Sequence, residues 1–326
     1  MQDQQNNSQK LVSFIIPAYN VPDGMLTECI QSIRALSLRA FEREIIIVDD
    51  GSDKSPMTEL AELADELIYI RQKNSGVAVA RNTGLRMAEG TFIQFIDADD
   101  LLLRSPYEHV LDVVRYNNCD MVMYDYSEKA EASTIDFKDE KPLPGATLLR
   151  QSNIHGSVWG MIFRRSIIGS LRFTPGIAFG EDEEFTPQLM LRADSVITTT
   201  ARAYYYRQRP MSAINRKDMR SHLARLHDSK SIIFNLRQKS STLPPEERVA
   251  MQRRIAQLTM DYIYNVIVLT KNRHYLDRQL EELKKEGLFP LPDRDYTKKY
   301  KWFRRMTNSS IGITMLMRTL PILNKE

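Results

Sequence analysis

The sequence has little of what a disulfide-stabilised, zinc-binding or membrane-spanning protein needs. Its 326 residues include two cysteines, Cys29 and Cys119, which give neither a disulfide framework nor a metal-ligand spacing. The five histidines are scattered, and the nearest two, His222 and His227, do not share a helix face, which disfavours a zinc site. No run of about 18 apolar residues is present, so we predict no transmembrane helix. These absences favour a reduced, cytoplasmic protein.

Charge is distributed unevenly along the chain. The formal net charge is +3, and 42% of the residues are hydrophobic, which is ordinary for a soluble globular protein. Residues 287–326 hold eight Lys or Arg and three Asp or Glu, a local charge of +5, which leaves −2 for residues 1–286. Such a segment either meets an anionic surface or is a solvated basic face. Residues 1–10 are rich in Gln and Asn and lack an apolar stretch, so we expect disorder and no signal peptide.

Apolar runs alternate with helix-like segments over the first 125 residues. The runs predict strands at 12–16, 44–48, 67–70, 92–96 and 120–124, with helices between them at 25–38, 56–65, 77–88 and 106–117. Strands that alternate with helices favour βαβ units. We therefore predict an α/β domain whose central sheet is mostly parallel and flanked by helices.

The second half of the chain begins with α/β patterning and ends as helices. Residues 127–145 are polar and predict a surface excursion between elements. The elements predicted after it are a strand at 158–163, a helix near 182–192, strands near 195–206, helices at 217–239, 246–271 and 274–286, and a broken helical tail after 298. The chain therefore predicts a helical C-terminal extension.

Acidic clusters follow two of the predicted buried strands, at residues 49–52 and 97–100. In open parallel α/β sheets, ligands bind outside the carboxyl ends of the strands. Asp97 and Asp99 can both reach one hard cation such as Mg²⁺ or Mn²⁺, which commonly shares its ligands with substrate phosphates. A turn with acidic helix caps is the alternative. Asp50 has a further possible role, since its carboxylate can accept a hydrogen bond from uracil N3–H or guanine N1–H.

Three further segments carry candidate functional groups. Residues 180–184, Gly-Glu-Asp-Glu-Glu, open a predicted helix, where acidic residues either favour the helix dipole or supply a general base. Residues 74–84 form a Gly-containing loop before a helix, which is compatible with phosphate binding, and Arg81 lies one turn inside that helix. Arg207, among the aromatics of 204–212, is either an outward-facing cation or part of a clamp on a diphosphate.

Together these motifs resemble those of family 2 glycosyltransferases of the GT-A type. The segments that carry the resemblance are VSFIIPAYN (12–20), VDDGS (48–52), NSGVAVARNTG (74–84), EGTFIQFIDADD (89–100) and GED (180–182). They occur in the family's order, and the resemblance covers roughly residues 11–215. One departure is visible: the family often continues the second motif as Gly-Ser-x-Asp, whereas this chain has Lys54 there and Asp53 one place early. No role is therefore carried over to Asp53.

The resemblance implies a role for each matching residue. The implied nucleotide-binding residues are Pro17, Ala18, Tyr19, Asp50, Arg81 and Asp97. The implied metal ligand is Asp99, the implied general base is Asp182, and the residues implied on the acceptor and diphosphate side are Glu181, Trp159, Arg207 and Ser212. It also implies a GT-A catalytic domain at 11–215, with a nucleotide and metal half at 11–125 and an acceptor half at 146–215. The helical region at 216–326 is predicted from the sequence pattern alone and carries no motif of the family.

The implied activity is a metal-dependent, inverting transfer of a hexose-type sugar. The donor is a nucleotide diphosphate sugar, with a UDP-sugar expected. The acceptor is a hydroxyl of a glycan or lipid-linked molecule in cell-surface polysaccharide synthesis, and we expect no nucleic acid partner. Residues 298–323 place cations beside Trp302 and an apolar helix, which predicts either peripheral contact with the inner face of the cell membrane or packing on the protein.

Two other functions compete with a transferase. A sugar-nucleotide nucleotidyltransferase usually has a Gly-rich loop with Arg after its first strand, and this chain has Pro17-Ala18-Tyr19-Asn20 there. A non-catalytic nucleotide- or sugar-binding module is the second alternative. The presence of both Asp99 and Asp182 argues against it.

Overall fold

The computed structural model describes residues 10–130, 136–208, 218–294 and 296–323. By its internal contacts the chain divides into two units. The first comprises Met1–Gly145 with His155–Pro210, and the second comprises Ala146–Ile154 with Met211–Glu326. Apart from Lys10, the N-terminal segment predicted to be disordered lies outside the described residues.

The chain up to residue 205 alternates strands with helices, as predicted. The elements are β1 (Val12–Ala18), α1 (Met25–Arg34), β2 (Arg43–Asp49), β3 (Leu67–Arg71), α2 (Val77–Met87), β4 (Phe92–Phe95), β5 (Leu101–Leu102), α3 (Arg104–Tyr116), β6 (Met121–Ser127), α4 (Gly145–Gln151), β7 (Met161–Arg164), α5 (Glu181–Met190) and β8 (Val196–Tyr205). Their order confirms the predicted α/β class.

The described strands form one eight-stranded sheet in the order β3-β2-β1-β4-β7-β6-β8-β5. β3, β2, β1 and β4 are parallel to one another, and β8 is parallel to β6. β7 runs antiparallel to both β4 and β6, and β5 runs antiparallel to β8. The nucleotide half thus has the predicted parallel sheet, while the sheet as a whole is mixed.

Burial explains why the first strands could be predicted. The side chains of Val12–Ile16 in β1 and of Ile45–Val48 in β2 are buried, because helices cover both faces of this part of the sheet. α1 buries Leu26, Ile30 and Ile33, which lie on one stripe of the helix at the spacing expected of a helix packed on a sheet.

Residues 56–65, predicted as one helix, instead form two short 3-10 helices. These are Pro56–Thr58 and Ala61–Glu66. Only Leu60 and Leu63 of this connection are buried, so little apolar surface is available to offset the cost of nucleating an α-helix. The strand predicted at 158–163 likewise begins later, because Val158–Gly160 form a 3-10 turn before β7.

The second unit is helical, as predicted. Its helices are α6 (Met219–Ser240), α7 (Pro245–Thr270), α8 (Arg273–Lys285), α9 (Lys298–Thr307) and α10 (Ser310–Leu323). None of the helices in the described part of the chain combines the length and apolar character needed to cross a membrane.

Residues 146–154, predicted as part of the acceptor half, group with these helices. Two arginines of α7 explain the grouping, because they bind the backbone carbonyls of this segment. Arg253 Nη1 donates to the carbonyl of Ser152 at 2.7 Å, and Arg254 Nη1 donates to that of Ile154 at 2.7 Å.

The tail helices pack on α7. Phe303 of α9 contacts Tyr264 of α7, and the Tyr300 hydroxyl donates to Asp261 at 2.8 Å. A Cβ at Gly312 would collide with the carbonyl oxygen of Met306, so α9 and α10 meet at a position that only glycine allows. The apolar side chains left exposed are those of Trp302, Ile311, Met315, Ile322 and Leu323.

Candidate active site

The first candidate loops meet at the carboxyl ends of β1 and β2. The two strands are parallel neighbours, and Ala18 pairs with Asp49 at their ends. The Asp50 N–H donates to the Ala18 carbonyl at 2.8 Å, which holds the segment after β2 against the segment after β1. The predicted nucleotide-binding residues Pro17 and Tyr19 flank Ala18, and the Tyr19 side chain is 53% exposed.

Adjacent aspartates at the end of β2 have different partners. Asp49 is fully buried, and its carboxylate accepts hydrogen bonds from the Ser52 N–H at 2.8 Å and the Tyr69 hydroxyl at 2.7 Å. Burial opposes ionisation of this group, but the hydrogen bonds from Ser52 and Tyr69 outweigh it and lower the pKa of Asp49. Asp49 therefore holds the turn together.

Asp50 instead faces the loop that precedes α2. Its Oδ1 accepts from the Ser75 N–H at 2.9 Å and from Gln72 Nε2 at 2.7 Å, and its Oδ2 accepts from the Gly76 N–H at 2.8 Å. These bonds use three of the roughly four lone-pair positions of a carboxylate. One position remains for the nucleobase N–H that the sequence predicts.

A pair of hydrogen bonds between Asn20 and Asp53 joins the loops after β1 and β2. This pair was not predicted from the sequence. Asn20 Nδ2 donates to Asp53 at 3.0 Å, and the Asp53 N–H donates back to Asn20 Oδ1 at 2.8 Å. Asn20 has a positive φ of 47°, which asparagine tolerates better than most residues. Between these loops lies a cavity of ≈ 430 Å³ whose lining includes Ala18, Asn20, Ser52, Asp53 and Lys54. Asp53 thus has a structural role here.

Gly51 allows the loop before α2 to approach this turn. Its φ is +78°, and a Cβ at this position would lie 2.7 Å from the backbone nitrogen of Asn74. An L side chain would therefore be strained in conformation and would also collide with the loop.

The Asp97–Asp100 turn follows β4 and is held by one tyrosine hydroxyl. Tyr204 of β8 accepts a hydrogen bond from the Asp97 N–H at 3.0 Å and donates to Asp100 Oδ2 at 2.9 Å. The Arg207 N–H donates to Asp100 Oδ1 at 2.7 Å. Asp100 is buried, and this burial, together with the negative charges of Asp97 and Asp99, raises its pKa to about 8 despite these hydrogen bonds. The side chains of Asp97 and Asp99 remain partly exposed.

Arg81 connects this turn to the start of α5. Its side chain is 4% exposed, and its guanidinium pairs with Asp97 at 3.0 Å and with Glu181. The same group lies 5.5 Å from the ring centroid of Phe173 and 5.9 Å from that of Phe95. Burial opposes its charge, but the carboxylates of Glu181 and Asp97 outweigh this effect and raise the pKa of Arg81. These pairs use Nη1 and Nη2, and the buried Nε has no hydrogen-bond partner among the described residues. The nucleotide contact predicted for Arg81 stays a prediction.

Asp182 lies in the first turn of α5, next to the Arg81–Glu181 ion pair. Its Oδ1 accepts the Glu183 N–H at 3.0 Å. Burial and the negative charges of Glu181 and Glu183 raise the pKa of Asp182 to about 7, against the opposing effect of Arg81. Of the acidic residues at this helix start, Glu181 is engaged by an arginine, whereas Asp182 has the raised pKa that suits a general base at neutral pH.

Trp159 belongs to an aromatic cluster beside the Asp97–Asp100 turn. Its ring stacks on Tyr204 at 4.5 Å and on Tyr206 at 5.8 Å between centroids, and Tyr126 contacts it edge-on at 5.4 Å. The Tyr126 side chain is 42% exposed, and Trp159 and Tyr206 are partly exposed. The cluster therefore offers aromatic surface to solvent.

Arg207 continues from β8 and pairs with α1. Its Nη2 lies 2.6 Å from Glu28 Oε2, and its guanidinium carbon lies 5.8 Å from the centroid of the Tyr205 ring. Ser212, predicted to act with it on a diphosphate, lies outside the described residues.

The Asp97–Asp100 turn suits a divalent cation that is shared with a substrate. Within the described ranges, no group of three or more His, Cys, Asp or Glu side chains is arranged to bind an ion by itself. Mg²⁺ and Mn²⁺ do not need such a group when substrate phosphates and water complete the shell. The two partly exposed carboxylates, and the pKa of the buried Asp100 that their negative charges help to raise, match a site that a cation would stabilise.

Comparison with known proteins identifies the family. The sequence model described as "Glycosyl transferase family 2" matches residues 13–171, which include the ends of β1, β2 and β4 described above. Residues 13–171, just under half of the chain, match glycosyltransferase family 2. This confirms the predicted resemblance and makes the protein a glycosyltransferase, in preference to a nucleotidyltransferase or a non-catalytic module.

Curated relatives of this glycosyltransferase include bacterial proteins. It is 29% identical to the uncharacterized glycosyltransferase EpsJ of Bacillus subtilis over 69% of this chain and 70% of EpsJ. It is 26% identical to the poly(ribitol-phosphate) beta-N-acetylglucosaminyltransferase TarP of Staphylococcus aureus over 60% of this chain and 62% of TarP. Each relative thus extends beyond the matched region.

Solved structures confirm the fold. The structure of residues 1–349 of S. aureus TarS has a TM-score of 0.63 at 18% identity, and the match covers 96% of this chain and 90% of that one. A structure of the same TarS fragment in complex with UDP-GlcNAc has a TM-score of 0.54 at 20% identity, over 85% of this chain and 92% of that one. The GT-A fold predicted from the sequence is therefore the fold of this glycosyltransferase.

Proposed function

We propose that this glycosyltransferase transfers a hexose-type sugar from a nucleotide diphosphate donor to an acceptor hydroxyl in a single, inverting displacement. The observation that carries the proposal is the arrangement at the start of α5. Arg81 holds Glu181 in an ion pair, and the neighbouring Asp182 has a pKa raised to about 7. One carboxyl group there is thus suited to take up a proton near neutral pH.

Asp182 is the proposed general base. As the acceptor oxygen attacks the anomeric carbon, its proton passes to the Asp182 carboxylate while the bond to the nucleotide diphosphate breaks. Positioned proton transfer of this kind typically contributes about 10²–10⁴-fold to a rate. A single displacement requires no covalent intermediate with the enzyme, and it inverts the configuration at the anomeric carbon.

Asp99, with Asp97 beside it, is proposed to hold the divalent cation and through it the donor diphosphate. When bound, Mg²⁺ or Mn²⁺ supplies positive charge that offsets the negative charge growing on the leaving group. The protein's own contribution is to position the carboxylates that would bind the cation. The Tyr204 hydroxyl and the buried Asp100 carboxylate fix the turn that presents Asp97 and Asp99.

The expected donor nucleotide is uridine diphosphate. The remaining lone pair of Asp50 suits the N3–H of uracil, and Tyr19 offers an exposed ring at the same strand edge. TarS, which shares the fold, has a structure in complex with UDP-GlcNAc. Guanine also presents an N–H to such a carboxylate, so binding measurements must decide the base.

The proposed acceptor is a glycan or lipid-linked hydroxyl in cell-surface polysaccharide synthesis. Exposed aromatic rings commonly bind apolar faces of ligands, and Trp159, Tyr126 and Tyr206 provide such a surface. TarP, a relative, is named for action on a poly(ribitol-phosphate). The exposed Trp302, Ile311 and Ile322, with the cations of 298–305, support a peripheral contact with an anionic membrane.

The reaction can be tested by the release of nucleoside diphosphate. Purified protein is incubated with a panel of UDP-sugars and Mn²⁺, with and without candidate acceptors, and nucleoside diphosphate is quantified. We expect release that needs metal and increases with the correct acceptor. Release of pyrophosphate from a nucleoside triphosphate, or equal release by wild type and Asp182→Asn, would contradict the proposal.

A further inference from the structure

The helical unit contains an open cavity that has no part in the chemistry proposed above. The cavity has a volume of ≈ 750 Å³, larger than the cavity of ≈ 430 Å³ beside the nucleotide loops. It is lined by the end of α6, the first turns of α7 and the segment that follows α8. Small-molecule sites commonly have volumes of about 300–1,000 Å³, so this cavity is large enough to hold a ligand.

The lining of this cavity carries an excess of positive charge. Arg237 is paired with Glu286. The other two arginines, Arg248 and Arg294, form no ion pair with any residue in the described ranges. Arg248 donates from Nε and Nη2 to the Leu243 carbonyl at 3.2 and 2.8 Å. Two guanidinium charges of the lining therefore have no paired carboxylate among the residues that the structure describes.

Arg294 has one hydrogen-bonded nitrogen and one buried nitrogen without a partner among the described residues. Its Nη2 donates to Gln252 Oε1 at 2.9 Å, while its buried Nε has no hydrogen-bond partner in the described structure. A buried donor without a partner is costly, and an anion that reached it would remove that cost. Since its oxygen is engaged by Arg294, the Gln252 side chain can offer its amide nitrogen as a further hydrogen-bond donor.

The rest of the lining suits a hydroxylated, partly apolar group. The Ser240 and Ser241 hydroxyls each donate at 2.7 Å to a backbone carbonyl one turn earlier. Their remaining lone pairs are acceptors, which suit ligand hydroxyl groups but repel a bare anion. Leu288 and Pro290 add apolar surface.

We propose that this cavity binds a phosphorylated polyol or sugar. Arg248 and Arg294 would bind the phosphate, because guanidinium groups match phosphate oxygens in charge and in bidentate geometry. The serine oxygens and the apolar residues would contact the polyol or sugar. None of the residues proposed to act in catalysis lines this cavity, so ligand binding here can be tested independently of the proposed function.

The test is binding measured by isothermal titration calorimetry on the full chain. The ligands are glycerol 3-phosphate and a phosphodiester-linked glycerol phosphate oligomer, with glycerol and inorganic phosphate as comparisons. Each titration is repeated with saturating UDP and Mn²⁺, which should leave binding unchanged. We expect both phosphorylated polyols to bind more tightly than glycerol or phosphate alone. Tighter binding of the oligomer than of the monomer would indicate a polymer as the natural source.

The variants Arg248→Gln and Arg294→Gln should each weaken this binding roughly tenfold, as expected for loss of a charge-assisted contact. Arg220→Gln is the matched control, because it removes the same charge from an exposed position of α6 outside the cavity. Arg248 is exposed, so its replacement tests the proposal even if Arg294→Gln impairs folding.

Three results would overturn the proposal. The first is equal binding of inorganic phosphate and glycerol 3-phosphate. The second is an equal effect of Arg220→Gln and Arg248→Gln. The third is an Arg248-dependent binding to phosphatidylglycerol vesicles without binding of the free phosphorylated polyols, which would indicate a lipid surface instead.

Discussion

The pH dependence of turnover tests the assignment of Asp182 directly. Its pKa is raised to about 7 by burial and by the charges of Glu181 and Glu183. A general base acts in its deprotonated form, so kcat/KM should increase as the pH rises through this pKa. With a pKa of about 7, roughly a tenth of the enzyme is competent at pH 6 and roughly nine tenths at pH 8. We therefore expect kcat/KM to rise about tenfold over this interval.

Asp182→Asn should remove both the rate and this pH dependence. We expect kcat to fall by about 10²-fold or more with nearly unchanged affinity for the sugar donor, since the lost interaction forms only in the transition state. Initial rates of nucleoside diphosphate release from pH 5.5 to 8.5 (roughly the range in which a base of this kind titrates) provide the measurement, and calorimetry provides the affinity.

Glu183→Gln is the matched control, one position further along the same helix turn. The Glu183 charge raises the pKa of Asp182, so its removal should move the rise in activity to lower pH and keep the rate at pH 8. A cation bound beside Asp97 should act in the same direction, because the Asp97 charge also raises this pKa. If Glu181→Gln loses the pH dependence and Asp182→Asn keeps it, the wrong carboxylate has been assigned.

Three further predictions concern the metal, the turn and the tail. Asp99→Asn should abolish metal-dependent turnover and weaken donor binding in Mn²⁺ without changing the melting temperature; full activity of this variant in chelator would contradict the metal role. Tyr204→Phe removes the hydrogen-bond partner of the Asp97 N–H and of Asp100 Oδ2, so we expect a loss of about 1–3 kcal/mol in the free energy of unfolding, measured by denaturant titration. An unchanged stability would show that the hydroxyl does not hold the turn. Replacing the exposed Ile311 and Ile322 by Ser should weaken co-sedimentation with anionic vesicles. The fold should be unaffected, because the buried apolar residues of the tail are Phe303, Ile313 and Leu316. Equal binding to anionic and neutral vesicles would show that the tail only packs on the protein.

The strands of the sheet could be predicted from the sequence for a physical reason. β1 and β2 are buried on both faces, so continuous apolar runs mark them. The acidic clusters after β2 and β4 mark the edge where the donor is proposed to bind. Residues 56–65 misled the prediction because their apolar spacing is helical although few of them are buried.

Side-chain pairing across the chain could not be predicted from local patterns. The local pattern predicts that Arg81 is a phosphate ligand at a helix start. Its carboxylate partner Glu181 lies 100 positions away in the sequence, so the ion pair could not be predicted from that pattern. The Tyr204 hydroxyl likewise reaches Asp100 across 104 positions. Three consecutive tyrosines, 204–206, precede Arg207, and their sequence does not indicate that the Tyr204 hydroxyl is the one that binds Asp100.

The partners of Asp50 have a consequence for engineering of donor specificity. Its carboxylate is tied to the backbone of Ser75 and Gly76, so the group proposed to recognise the base also determines the shape of the neighbouring loop. A substitution at Asp50 intended to admit another nucleotide would therefore alter recognition and loop geometry together. Libraries that aim to change the nucleotide should keep Asp50 and vary Tyr19 and Lys54, whose side chains are exposed.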